Sequence, residues 1–393
     1  MVRASAVSGG TQATGGVAVD STGHTYHLGY FCGGSVTIGG VTATGSSAPN
    51  GEYCDIYLVK MDSDGAVKWI KTYGAYGKYD FPDDIEVDSS GNIYITGYFQ
   101  DSPAVDFGNN VVLTSQAAIN RFLVKVNSAG VTQWGKVLGG TTSAAIGYAQ
   151  VAVGSSVFVY ASFGSLASMT SVSFGTNTVS NATPSTFLLR VDPATGNYQS
   201  VQEIGGGGDT RASDLAVDES GNAYVSGDFD GTTLTIGTEN LTNSTSNSFD
   251  GFVAKFSPSG QAIWAKRFGG GGDDGVWHVD IGSGVVSVVG GFTSTSMAFG
   301  STNLVGSRPL TAGETNLYLG KIDPNGNIIG ARLLGTGKFK AAGLKINDGE
   351  SIYVAGSFAG TARIGNADVT SRGYDDVFVL KATTESGVKW WRT

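Results

Sequence analysis

Apolar and polar residues alternate at every second position in short runs along the whole chain, and each run stops at Gly, Asn, Asp or Ser. The clearest stretch lies between Ile85 and Gly140: IEVDSSG, NIYITGYFQ, a spacer containing VDFGNN, then RFLVKVNSAG and VTQWGKVLGG. A period of two bounded by turn formers predicts strands, four to the unit. The unit recurs six times, its first strands beginning near Val17, Ile85, Val151, Leu215, Val279 and Leu344, at offsets of 68, 66, 64, 64 and 65 residues. The last copy, 344–393, and the 16 residues before Val17 together amount to one further period. This arithmetic predicts an all-β, six-bladed β-propeller with four-stranded antiparallel blades. It forms one domain over residues 1–393, and its last blade is completed by the N- and C-terminal segments. Closing the ring would remove the sheet edges that invite aggregation.

Two signals recur in every copy. The third strand carries an aromatic three residues before a cation: Tyr57/Lys60, Phe122/Lys125, Phe187/Arg190, Phe252/Lys255, Tyr318/Lys321 and Phe378/Lys381. The spacer carries an apolar residue followed by glycine, as in Phe107-Gly108 and Ile236-Gly237. A feature repeated in every unit belongs to the scaffold: the ring supplies buried area and the cation lays its stem on apolar surface with its head wet. A Trp opens the fourth strand in four copies (Trp69, Trp134, Trp264, Trp390) and reads as packing. Turns such as Asp88–Asn92 and Asp323–Gly326 supply Gly where φ must be positive. Asp62-Ser-Asp64-Gly65 lacks the downstream Glu of a calcium loop and reads as a hairpin turn.

Composition narrows the setting. Only 15% of the 393 residues are charged, 61 are Gly, and the net charge is −9 with Lys and Arg scattered singly. Without a basic stripe, nucleic acid is not an expected partner. No apolar run is long enough to span a bilayer, so no transmembrane segment is expected. The first ten residues lack the apolar stretch of a secretory signal, which leaves a removed signal or a cytoplasmic protein. Cys32 and Cys54 fall in one unit and are either two thiols or a disulfide. Sequons at Asn181, Asn240 and Asn243 are candidate glycosylation sites, or chance in so Asn- and Thr-rich a chain.

The repeat resembles the bacterial β-propeller repeat family labelled SBBP, whose units look like D-x-S-G-N-x-Y-x-x-G-x-F, then F-G, then D-x-F-V-x-K-x-x-x-x-G-x-x-x-W. The copy from Leu215 to Asp274 (LAVDESGNAYVSGDF, DGFVAKFSPSGQAIWAKRFGGGGDD) is similar throughout. The third and fifth copies lose the Asp-x-Ser-Gly turn or the Trp but keep the spacing. The resemblance implies a secreted or cell-surface protein and no particular chemistry.

Ligand contacts on a repeated frame are built where copies differ. The variable linking loops include Tyr73–Asp84, with Tyr73, Tyr76, Tyr79, Phe81 and Asp84, and Gly269–His278, with Asp273, Asp274, Trp277 and His278. Flat aromatics beside carboxylates suit sugars or cationic groups, so these nine residues are the candidate ligand-binding set; alternatively the rings cover blade tops and the Asp residues cap turns. The Gly runs 205–208 and 269–272 lack the Lys-Ser/Thr ending of a phosphate loop, and turn flexibility accounts for them. No nucleophile motif accompanies His278, the one histidine set for chemistry, and no catalytic residue is assigned. The expected function is a non-enzymatic extracellular or cell-surface binding or assembly module, taking a protein or glycan partner at one face without a cofactor. The alternative is a metal-assisted hydrolase or lyase in which acids such as Asp84, Asp214 and Asp274 hold calcium at the channel mouth.

Overall fold

The computed structural model describes residues 7–8, 12–46, 52–100, 104–164, 171–246, 248–347 and 351–393. Among them the helical content is a single 3-10 turn, Gly140–Ala145, and the named strands pair antiparallel. The chain divides into two compact units, one of Met1–Gly164, Thr170–Ser180 and Leu189–Val201, the other of Ser165–Met169, Asn181–Leu188 and Gln202–Thr393.

In the first unit, β1 (Gln12–Val19), β2 (Thr25–Cys32), β3 (Cys54–Met61) and β4 (Val67–Tyr73) form one blade in that order. Next come β5 (Asp80–Val87), β6 (Ile93–Gln100), β7 (Ile119–Val126) and β8 (Thr132–Val137), which form a second. They are followed by the pair β9 (Ile146–Val153) and β10 (Val157–Phe163). The residues of β11 (Ser185–Val191) and β12 (Tyr198–Gly206) are divided between the units. In the second unit, β13 (Thr210–Val217), β14 (Ala223–Phe229), β15 (Asp250–Phe256) and β16 (Ala262–Gly270) form a third blade. The fourth is a continuous seven-stranded sheet of β17 (Asp274–Gly282), β18 (Val285–Phe292), β19 (Thr315–Ile322), β20 (Ile328–Ile346), β21 (Ile352–Ile364), β22 (Ala367–Thr383) and β23 (Gly387–Arg392).

The fold is thus an all-β propeller of four blades, not six, and the described strands of the N-terminal segment do not join the seven-stranded sheet. Val7–Ser8 pairs with Ser35–Ile38, β1 pairs with β2, and β23 pairs with β22. Residues 1–6 and 9–11 of the segment expected to complete the ring lie outside the described residues. A sequence period counts copies, and the hydrogen-bond ladder decides which copies become separate sheets. Gly335–Gly343, expected to be a linking loop, is extended backbone inside the 19-residue β20. It pairs with β19 at Leu317↔Gly335 and with β21 from Gly335↔Ile364 to Ile346↔Ile352, which fuses the last two copies.

The repeated aromatic of the third strand is buried in all six copies. Its ring is seated over the glycine that it faces on the second strand: Tyr57 on Gly29, Phe122 on Gly97, Phe252 on Gly227, Tyr318 on Gly290 and Phe378 on Gly356. A Cβ on any of these glycines would collide with the ring, so G-x-F in the second strand and the aromatic in the third specify one contact.

The cation three residues later latches successive copies. Lys60 Nζ donates to the Ser128 carbonyl (3.3 Å), Lys125 to Pro193 (2.8 Å) and Lys255 to Pro324 (2.9 Å), each carbonyl lying in the turn of the following copy. Trp69, Trp134 and Trp264 donate their indole N–H to those same carbonyls at 3.3, 3.2 and 3.1 Å. Each ammonium also sits over a buried tyrosine, Tyr26, Tyr94 or Tyr224, 5.0–5.3 Å from its centroid. These tyrosines donate their hydroxyls to Asp20, Asp88 and Asp218, the first residues of their own turns.

Two donors on one carbonyl make a specific prediction. Lys125→Met should cost about 2 kcal/mol and Trp134→Phe about 1 kcal/mol, the usual sizes for a charged and a neutral hydrogen bond. The double variant should lose more than both together, because the Pro193 carbonyl then has neither donor; urea unfolding of the four proteins measures the coupling.

Candidate functional site

The two ends of the Tyr73–Asp84 loop are built differently. Tyr73, at the end of β4, is buried against Phe107 with 5.1 Å between centroids, and Tyr76 is 76% exposed. Tyr79 and Phe81 enter β5 with stacked rings 6.1 Å apart and 13° from parallel. Around them the fold gathers three rings the loop does not contain: Tyr53 against Tyr79 (5.3 Å), and Tyr30 and Tyr98 against Phe81 (4.5 and 5.5 Å). All five are half-buried. Arg121 lies over Tyr98, 4.9 Å from its centroid, and its Nη1 donates to Asp83 Oδ2 at 2.5 Å. Tyr148 donates its hydroxyl to the Asp83 carbonyl.

The patch is anchored in the backbone. Cys32 and Cys54 form a disulfide between the facing ends of β2 and β3, next to Phe31 and Tyr53. Cys54 and Tyr79 also form a parallel bridge, which ties the disulfide to the patch. Asp84 turns inward: its Oδ1 accepts the N–H of Ile85 (2.8 Å) and its Oδ2 that of Val151 (2.9 Å), clamping β5 to β9.

Beneath the patch two carboxylates are buried. Asp55 is fully buried and accepts the Ser46 hydroxyl (3.0 Å); Asp80 is 1% exposed and accepts the Ala75 N–H (2.8 Å). Gly74 lies between them, and a Cβ there would strike the Asp55 carboxylate. Burial, joined by the Asp55 charge, raises the Asp80 carboxyl to about 7 against the pull of the Ala75 N–H. Among the described residues Asp80 Oδ1 has no hydrogen-bond partner. The second unit repeats the arrangement with Asp250 and Asp274, except that Arg267 pairs with Asp250 (2.5 Å). The glycines here supply space. Gly205 and Gly206 end β12 and Gly269 and Gly270 end β16, and a Cβ on Gly205 would strike Ser185, one on Gly269 the Asp250 carboxylate. Room for a buried polar group explains the first glycine of each pair, and close approach of the next strand's backbone, at Thr233 and Ser296, explains the second.

The Gly269–His278 candidates are each engaged in the frame. Asp273 Oδ1 accepts the Phe249 N–H (3.1 Å), while Asp274, 2% exposed, accepts those of Gly270 and Thr293. Burial raises Asp274 to about 7. Trp277 covers Gly291 and packs on the core of the seven-stranded sheet. His278 faces Asp214, not Asp273 or Asp274: its Nδ1 is 3.3 Å from Asp214 Oδ2 and its Nε2 3.2 Å from the Ala341 carbonyl. Burial pushes the imidazole down, but the Asp214 hydrogen bond and charge, with the Ala341 carbonyl, leave it above the ordinary histidine value. Asp214 also accepts the N–H groups of Leu215 and Val279, so this cluster joins β13, β17 and β20.

Of the three sequons, Asn240 is exposed, whereas the Asn243 amide donates to the Phe229 and Ser248 carbonyls and Asn181 is half-buried. Among the described residues no group of three or more His, Cys, Asp or Glu side chains is disposed to hold a metal ion. Tyr30 and Tyr98, which sequence reasoning passed over, carry a readable signal. They fill the middle of the G-x-F triplet, where the other copies have Ser162, Asp228, Gly291 and Ser357.

The chain carries the SBBP beta-propeller repeat, matched at residues 68–98 and 201–231. No curated protein matches it. Among solved structures it is similar to a protein of unknown function from Bacteroides caccae (11% identity, 94% of this chain and 92% of that one, TM-score 0.38). It is also similar to a gluconolactonase from Xanthomonas campestris (15%, 70% and 68%, 0.33) and to a quinohemoprotein alcohol dehydrogenase from Comamonas testosteroni (10%, 98% and 62%, 0.40). No helix among the described residues is long and apolar enough to cross a membrane.

Asp80 sets a pH dependence. Its folded value of about 7 lies above the ordinary 3.8, so between these values the folded state holds a proton that the unfolded state has released. Its contribution is therefore complete below about pH 4 and lost as pH rises through 7. Asp80→Asn should raise the melting temperature at pH 8 and leave it nearly unchanged at pH 5; parallel melts of both proteins across this range would check it.

Proposed function

We propose that this chain is a non-enzymatic binding module of the cell surface or extracellular space, and that the patch of Tyr30, Tyr53, Tyr79, Phe81 and Tyr98 takes a saccharide. One observation carries the reading: five half-exposed rings lie in one contiguous cluster, with neighbouring centroids 4.5–6.1 Å apart. The C–H face of a pyranose is apolar and flat and packs on such rings, while the four tyrosine hydroxyls supply polar groups beside them. Half-burial favours binding further, because rings already held by neighbours lose little freedom when a ligand arrives. The Cys32–Cys54 disulfide supports an oxidising compartment.

A glycan array at physiological salt tests the proposal. The wild-type chain should bind a limited set of sugars, Tyr79→Ala and Phe81→Ala should each weaken binding about tenfold, and Tyr76→Ala should leave it unchanged. Stacking on one ring is worth about 1 kcal/mol, close to that factor. A wild-type chain that retains no glycan would end the saccharide reading.

A further inference from the structure

The second unit contains a cavity of about 670 Å³ lined by three of the chain's ten arginines, Arg308, Arg332 and Arg363, although the net charge is −9. We propose that it binds a small hydroxyl-rich anion, with the chemistry of a sugar that carries a carboxylate or a sulfate ester. The proposal does not rest on the aromatic patch.

The arginines have unequal commitments. Arg308 grips Glu314 with both Nη atoms at 2.7 and 2.6 Å, a bidentate pair that fixes its plane. Arg332, on β20, is held by main-chain carbonyls, Nε to Thr384 (2.9 Å) and Nη2 to Glu385 (2.6 Å). Neither acceptor carries a formal charge, so these bonds orient the guanidinium without neutralising it, and a guanidinium has five N–H donors to place. Arg363, on β21, donates to Asp368 (3.1 Å), its cross-strand partner on β22. That carboxylate is 67% exposed, and ion pairs so exposed are weak enough for an incoming anion to displace.

The rest of the wall fits a sugar better than a bare ion. Asn366 brings an amide, and Ser307, Thr361 and Ser386 bring hydroxyls that pair with Thr336, Thr370 and Thr383 and keep a lone pair to accept with, while Leu333, Ala362 and Val388 supply an apolar stretch. The volume lies within the usual range of small-molecule sites, roughly 300–1,000 Å³, and far exceeds one sulfate. Gly387, at φ +71°, leaves room for the Arg332 stem, which passes 3.0 Å from where a Cβ would stand.

Isothermal titration of the full chain with D-galacturonate, D-galactose and sodium sulfate at matched ionic strength tests the assignment. Galacturonate should saturate a single site, with galactose and sulfate each at least tenfold weaker. Arg332→Gln should weaken galacturonate tenfold or more, and Asp368→Asn, which removes the competing carboxylate, should tighten it severalfold without changing the melt. Should Arg332→Gln also lower the melting temperature, the Asp368→Asn result decides. Absence of galacturonate binding, equal affinity for galactose, or indifference to both substitutions would overturn the site; sulfate as tight as galacturonate would overturn the sugar.

Discussion

The architecture depends on a shared acceptor. In each latch one turn carbonyl receives a lysine ammonium and an indole N–H from the preceding copy, while a buried tyrosine beneath the ammonium reaches back to the aspartate of its own turn. The attraction is charge-assisted, and the flat rings restrict where the ammonium can sit. Because every group in the latch comes from the repeated motif, each pair of copies it joins is held in the same relation. Loop residues outside such frame contacts, Tyr76 among them, are thereby free to vary, and chemistry can be placed on them.

A second constraint converts that freedom into a defined surface. Five of the six copies bury a polar side chain two residues before the third-strand aromatic: Asp55, Asn120, Ser185, Asp250 and Asn316. Asp55, Asn120 and Asp250 are seen accepting hydrogen bonds from the chain ahead of the third strand, and the glycines at the strand ends leave space for them. In the first unit this buried layer, with the disulfide beside it, supports the exposed rings. Their alignment therefore follows from covalent and hydrogen-bonded anchors rather than from contacts among the rings alone.

Much of this was legible in the sequence. Strand alternation, the turn signals and the aromatic–cation pairs depend on local periodicity, and the structure follows them. The blade number depends on whether extended backbone is interrupted between copies, and GTGKFKAAG has enough Gly to read as a loop although it pairs with β21 along its length and with β19 as far as Gly337. Site residues divide similarly. Tyr79 and Phe81 stood out because their loop is unlike the others, yet Tyr30 and Tyr98 sit in ordinary strands and join the patch only through sheet register. Tyr73, Asp84 and Trp277 looked like ligand groups by type, but core packing and backbone N–H groups engage them first.

The 19-residue β20 gives the chain an unequal grammar of insertion. Between most copies a few residues of turn separate one ladder from the next, and added chain could bulge there while leaving every rung intact. Between the last two copies the same addition would sever a strand that is paired with β19 as far as Gly337 and with β21 from Gly335 onward. Duplication, excision or splicing of modules is therefore tolerated at the earlier seams, and the final pair must be inherited or lost as one piece.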